Sequence, residues 1–182
     1  MVNSNFQNLD NDCKKLLLKW NESPSPEDGM TLEDLREGLL INSPADKEII
    51  GEGPKSVLTS DTLIKNRNKD IIPARIYKNK TSSFKTLLYV HGGGWVTCDI
   101  DTHDTFCKYL TYYAGINVVS INYRLAPENR FPAALEDVED ALYWIKNEKK
   151  ELNTDKNFIG VGGDSAGGNL SAAISLKLRD IK

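Results

Sequence analysis

The sequence predicts an α/β domain: a mostly parallel sheet with helices on both faces. Three observations carry this. Thr86 to Val90, Ile116 to Tyr123 and Asn157 to Val161 are short β-rich apolar runs, as expected of strands covered on both sides. Helical segments at Thr102 to Tyr113, Ala133 to Asn147 and Ser165 to Arg179 alternate with them, and such alternation implies right-handed crossovers between parallel strands. Two of the strands run directly into glycine-rich turns, His91 to Gly94 and Gly162 to Gly168.

Taken in order, the first fifty residues read as helices. Leu16, Leu17, Leu18 and Trp20 form an apolar cluster flanked by lysines, followed by a turn-forming stretch from Asn21 to Gly29. Thr31 with Asp34 resembles a capping box, and Leu32, Leu35, Leu39 and Leu40 fall on one face of the helix that follows. Val57 to Ile64 and Ile71 to Tyr77 read as strands separated by the polar turn Lys65 to Asp70. Pro73 lacks a backbone donor, so the second of these is expected at a sheet edge. In the helix Ala133 to Asn147, Ala134, Val138, Ala141, Leu142 and Ile145 form an apolar stripe, with Glu136, Asp137, Glu139 and Asp140 mostly on the other side. Leu170, Ile174 and Leu178, four apart, mark the buried stripe of the last helix.

Composition narrows the function. A chain of 182 residues with 40% hydrophobic and 27% charged content is an ordinary globular one. The net charge of −3 and the lack of a dense Lys/Arg cluster exclude nucleic acid as a partner. Neither a secretory pattern at the N-terminus nor an apolar run of membrane length is present, so no membrane association and a cytoplasmic location are expected. Cys13, Cys98 and Cys107 lack metal-ligand spacing, which points to reduced thiols and to no metal. The glycine motifs lack a phosphate-loop lysine and dinucleotide spacing, so no nucleotide cofactor is expected.

The chemistry lies in two motifs. Gly163-Asp164-Ser165-Ala166-Gly167 stands at a strand end and a helix start, the context of a nucleophile elbow, where a strained turn lifts the serine hydroxyl above the sheet. Only glycines fit the crowded neighbouring positions, and the helix N-terminus favours the negative charge of an oxyanion. His91-Gly92-Gly93-Gly94-Trp95 follows a strand where such an enzyme keeps oxyanion-hole donors. Side chains there would obstruct a tetrahedral intermediate. The candidate nucleophile is therefore Ser165, and the candidate oxyanion-hole residues are Gly92, Gly93, Gly94 and Ala166, with Gly93, Gly94 and Ala166 as the donors. Trp95 either lines the pocket or packs, and Arg124 with Glu128 is expected to hold a turn.

These two motifs, with Asp101-Thr102-His103-Asp104, Asn122-Tyr123-Arg124-Leu125-Ala126-Pro127-Glu128 and Phe131-Pro132-Ala133-Ala134-Leu135-Glu136-Asp137, occur in the order seen in the hormone-sensitive-lipase group of α/β-hydrolases, which the chain resembles in its N-terminal portion. The resemblance implies residues 1–54 as N-terminal cap helices, residues 55–182 as a partial hydrolase domain truncated before its last strands, and short or medium acyl esters as small-molecule substrates. In this fold the triad runs Ser, then Asp or Glu, then His. After Ser165 there is no histidine, and the one carboxylate, Asp180, lies roughly 20 Å along the serine's own helix at 1.5 Å per residue. His91 is expected to hold the glycine loop, His103 to be structural and Asp164 to hydrogen-bond at the elbow. The expectation is thus a serine carboxylesterase that is inactive as this chain alone and folds marginally or aggregates. Its partners would be a complementing C-terminal segment or a second copy. The alternatives are a receptor-like ligand-binding protein on the same scaffold and a truncated reading frame without activity.

Overall fold

The computed structural model describes residues 9–22, 29–37, 51–80, 83–147 and 152–179. The chain divides into two compact units, Met1–Gly51 and Glu52–Lys182, a boundary three residues before the one the sequence suggests. In the first unit, helix α1 (Asn11–Glu22) starts where the Asp10 carboxylate accepts the N–H of Asp12 at 2.8 Å. A helical turn at 32–37 begins with the expected box: Thr31 N–H donates to Asp34 Oδ2 at 2.9 Å and Asp34 N–H to Thr31 Oγ1 at 3.1 Å. Leu39, Leu40, most of the turn before Gly29, and Asp180 lie outside the described residues.

The second unit is one five-stranded sheet in the order β1-β2-β4-β3-β5. Its strands are β1 (Leu58–Lys65), β2 (Ile71–Lys78), β3 (Thr86–Val90), β4 (Asn117–Ile121) and β5 (Ile159–Gly163). β4, β3 and β5 are parallel, while β2 is antiparallel to both neighbours. Alternate side chains serve opposite faces, as a period of two dictates. Leu88 and Val90 of β3 join Val119 and Ile121 of β4 in the larger core. It is closed by α3 (Ala133–Asn147) and α4 (Ser165–Arg179). Leu87, Tyr89 and Val118 face the other way, onto Cys107 and Leu110 of α2 (Asp104–Ala114). α2 ends at Gly115 in the left-handed conformation, its N–H returning to Thr111 O at 3.1 Å.

Two expectations are corrected. β2 is an interior strand, not an edge. The Pro73 carbonyl accepts from Asn122 N–H at 2.9 Å, just past the end of β4, and a strand residue's N–H and C=O share a side. The donor that proline lacks therefore falls at the margin of the β2–β4 ladder, where it breaks no rung. The acidic residues expected mostly opposite the apolar stripe of α3 are not all outside its core: Asp137 is fully buried and Glu139 nearly so. Asp137 accepts from Arg124 Nε at 2.9 Å, from Arg124 N–H at 2.9 Å and from Asn66 Nδ2 at 3.2 Å. Glu139 pairs with Arg67 and with Lys177 of α4, the latter at 2.8 Å. These pairs tie the β1–β2 turn and the segment after β4 to the helical layer. Among the described residues, no helix is long and apolar enough to cross a membrane.

Candidate active site

Ser165 sits where β5 turns into α4, at φ +47°, a left-handed backbone that non-glycine residues adopt only under constraint. The constraint is visible on both sides. A Cβ on Gly163 would stand 2.0 Å from the Val90 carbonyl oxygen, and one on Gly167 1.9 Å from the same oxygen. Both positions must therefore be glycine for α4 to pass this close to the end of β3. Ser165 is exposed at the C-terminal end of the parallel strands, with its helix N-terminus beneath it.

The loop after β3 meets the elbow directly. A Cβ on Gly92 would lie 3.2 Å from Ser165 Cβ and 2.2 Å from Asp164 Oδ2. Gly93 and Gly94 have φ of +107° and +61°, and a Cβ on Gly93 would stand 2.2 Å from Thr97 O. The loop is closed by Val96 N–H and Thr97 N–H, both donating to Gly93 O. Gly92, expected in the oxyanion hole, commits its N–H to Asp164 Oδ1 at 3.0 Å, so what it contributes is clearance beside Ser165 rather than a donor. Among the described residues no hydrogen bond takes up the N–H of Gly93, Gly94 or Ala166, and none reaches Ser165 Oγ.

Among the described residues, neither histidine hydrogen-bonds the serine hydroxyl; each has other partners. His91 is fully buried and stacked on Tyr123 at 4.3 Å. Its Nδ1 lies 2.7 Å from Gly92 O, and that carbonyl can only accept, so Nδ1 carries the hydrogen. Burial lowers its pKa to about 4, leaving a neutral ring that props the loop. Its Nε2 is buried without a hydrogen-bond partner among the described residues. His103 stands next to the start of α2 with Nε2 3.3 Å from Asp164 Oδ1 and Nδ1 2.9 Å from Thr102 Oγ1. Asp164 Oδ1 also accepts from the Tyr89 hydroxyl at 2.7 Å. Burial would raise this carboxyl, but the Tyr89 hydroxyl, His103 and the N–H groups of Gly92 and of Asp164 itself outweigh it and hold it below the usual carboxylate range. This convergence on Asp164 could not be read in the sequence beyond its place in the motif, because its partners lie 61 to 75 residues upstream.

A cavity of about 350 Å³ opens beside the glycine loop, lined by Gly94, Trp95, Phe131, Leu135, Asn169 and Leu170 among others. Trp95 thus lines a pocket, and Asn169 and Leu170 stand about one turn beyond Ser165 on α4. Arg124 holds its turn through Asp137. Burial raises the Cys98 thiol, and raises that of Cys107 to about 12, so neither is activated as a thiolate.

Residues 87–182 match a family described as alpha/beta hydrolase fold. The chain is 36% identical over 134 residues to the ethyl acetate hydrolase of Pseudomonas putida, covering 71% of itself and 42% of that protein. It is 38% identical over 144 residues to the arylesterase of Saccharolobus solfataricus, covering 79% and 45%. A hyperthermophilic esterase from Pyrobaculum calidifontis superposes with a TM-score of 0.84 at 34% identity, over 94% of this chain and 54% of that one. The chain thus spans about half the length of these relatives, which by name are an ethyl acetate hydrolase, an arylesterase and an esterase. A serine raised between two glycines at a strand end, faced by a glycine loop from the neighbouring strand, and these likenesses lead to one assignment: the chain belongs to the α/β-hydrolase fold family, in its hormone-sensitive-lipase group.

Proposed function

We propose that Ser165 is the nucleophile of a carboxylic ester hydrolase acting on short or medium acyl esters. The observation that carries this is the left-handed Ser165 packed so close to Gly92 that a Cβ there would stand 3.2 Å from Ser165 Cβ. It brings a hydroxyl beside a loop whose next two N–H groups are untaken among the described residues. In the reaction Ser165 Oγ attacks the ester carbonyl. The resulting oxyanion accepts hydrogen bonds from Gly93, Gly94 and Ala166 N–H, the last at the positive end of α4. The alcohol leaves, and water releases the acid from the acyl-serine. The apolar cavity of about 350 Å³ beside Gly94 suits a small acyl or alcohol group.

The proton relay is the part that this chain's own histidines do not supply. His91 is neutral, buried and turned to Gly92 O, and His103 faces Asp164. Without a base a serine hydroxyl is a weak nucleophile at neutral pH. Ser165-dependent turnover therefore needs a histidine and a carboxylate from further polypeptide, on another chain or on a C-terminal extension. The test is p-nitrophenyl butyrate hydrolysis by the 182-residue chain, by a protein carrying a relative's C-terminal half after residue 179, and by Ser165→Ala in both. Turnover confined to the extended protein and abolished by Ser165→Ala is the expected result. Equal turnover by the short chain would overturn the relay argument, and turnover indifferent to Ser165→Ala would overturn the esterase reading.

A further inference from the structure

Asp164 gathers groups from three separate segments onto one oxygen. Its Oδ1 accepts from Tyr89 on β3 and from Gly92 N–H in the glycine loop, and it lies 3.3 Å from His103 Nε2 at the start of α2. Its own backbone carbonyl takes the N–H of Gly168 at 3.0 Å, in the first turn of α4. The other oxygen, Oδ2, fills the space a side chain at Gly92 would need. We propose that Asp164 is a positioning residue: by holding Gly92 it sets where the Gly93 and Gly94 amides stand relative to Ser165. This rests on the esterase reading of Ser165.

Electrostatics favours a geometric role. A carboxylate beside a centre that develops negative charge opposes that charge, so its charge as such does not stabilise the transition state. What it offers is an acceptor strong enough to fix a backbone N–H. The acceptor is itself immobilised, because Tyr89 is nearly buried under α2, where its ring stands 5.3 Å from Phe106. The Gly92 peptide is thereby anchored to β3 and α2 as well as to the elbow.

An acceptor role and a charge role separate in the variant Asp164→Asn, which keeps Oδ1 and removes the charge. The measurement is hydrogen exchange of the Gly92 amide by NMR in the full chain, which needs no ester. Asp164→Ala should speed that exchange about tenfold, the equivalent of one lost charge-assisted bond, while the β1–β2 amides keep their rates. Asp164→Asn should restore most of the protection. Unchanged exchange in Asp164→Ala, no rescue by Asp164→Asn, or a general rise that includes β1 and β2 would overturn the proposal. Should Asp164→Ala fail to fold, Tyr89→Phe supplies the same test, because freeing Asp164 on one side must loosen Gly92 before it loosens β1. Absence of Ser165-dependent turnover bears on the esterase reading alone and leaves the exchange result to stand or fall by itself.

Discussion

At the scale of single residues, His91 shows how a fully enclosed imidazole couples the glycine loop to pH. Burial lowers its pKa from 6.5 to about 4, so the folded state holds it neutral where the unfolded chain would bind a proton. Its contribution to stability is complete above the unfolded value near 6.5 and is lost as pH falls toward 4; below that both states are protonated and the loss is constant. The size of the loss is about 3 kcal/mol, at roughly 1.4 kcal/mol per unit. Urea unfolding at pH 7 and at pH 4.5 should show this decline, and it should be smaller in His91→Asn, whose amide can still donate to Gly92 O without titrating. An equal decline in both proteins would assign the acid sensitivity to other groups. The role expected of His91, holding the glycine loop, matches its bond to Gly92. The motif marks Asp164 as a hydrogen-bonding residue but does not mark it as the partner that takes the N–H of Gly92, since nothing in a motif says which amide a carboxylate will meet.

Among the elements, β3 is legible to the residue at both ends, and α3 and α4 are legible at their starts, where apolar periodicity changes. The apolar pattern puts β5 two residues early, because its last three residues include two glycines, Gly162 and Gly163, which carry no apolar signal. The misread elements are those whose partners are remote in sequence. Nothing local to α3 tells that Asp137 is paired inward, because its cation, Arg124, precedes the helix by nine residues and its amide partner, Asn66, sits in the β1–β2 turn. Pro73 misled likewise, since a missing donor is harmless or costly according to where the neighbouring ladder stops. The Arg124–Asp137 pair makes a prediction for the helical layer. Asp137→Ala should lower unfolding free energy by roughly 3 to 5 kcal/mol, the cost of stranding a buried charge, and nearer the lower figure because Arg124 keeps 23% of its side chain in water. A loss under about 1 kcal/mol by urea titration, the size of a surface pair, would mean that Arg124 finds a substitute in Asp70 or Glu136, 4.0 and 3.7 Å away.

For the molecule as a whole, the outer side of β5 decides behaviour in solution. Among the described residues β5 pairs with β3 alone, and its Ile-Gly-Val-Gly-Gly sequence has none of the charges or prolines that blunt a free edge. Phe158 and Leu176, more than half exposed, add apolar surface. The 182-residue polypeptide should therefore self-associate, with a sedimentation coefficient that rises with concentration; a cooperatively melting monomer would count against this. The extended protein used to test hydrolysis should lose that concentration dependence.

Both glycines of the elbow close on a single atom, the carbonyl oxygen that ends β3. The serine is thus borne by one strand and gauged by another: β5 delivers it, but β3 fixes its height. Since β3 also launches the glycine loop, any shift of that strand carries nucleophile and amides along together, and their mutual alignment survives distortions that would ruin a site assembled from independent supports.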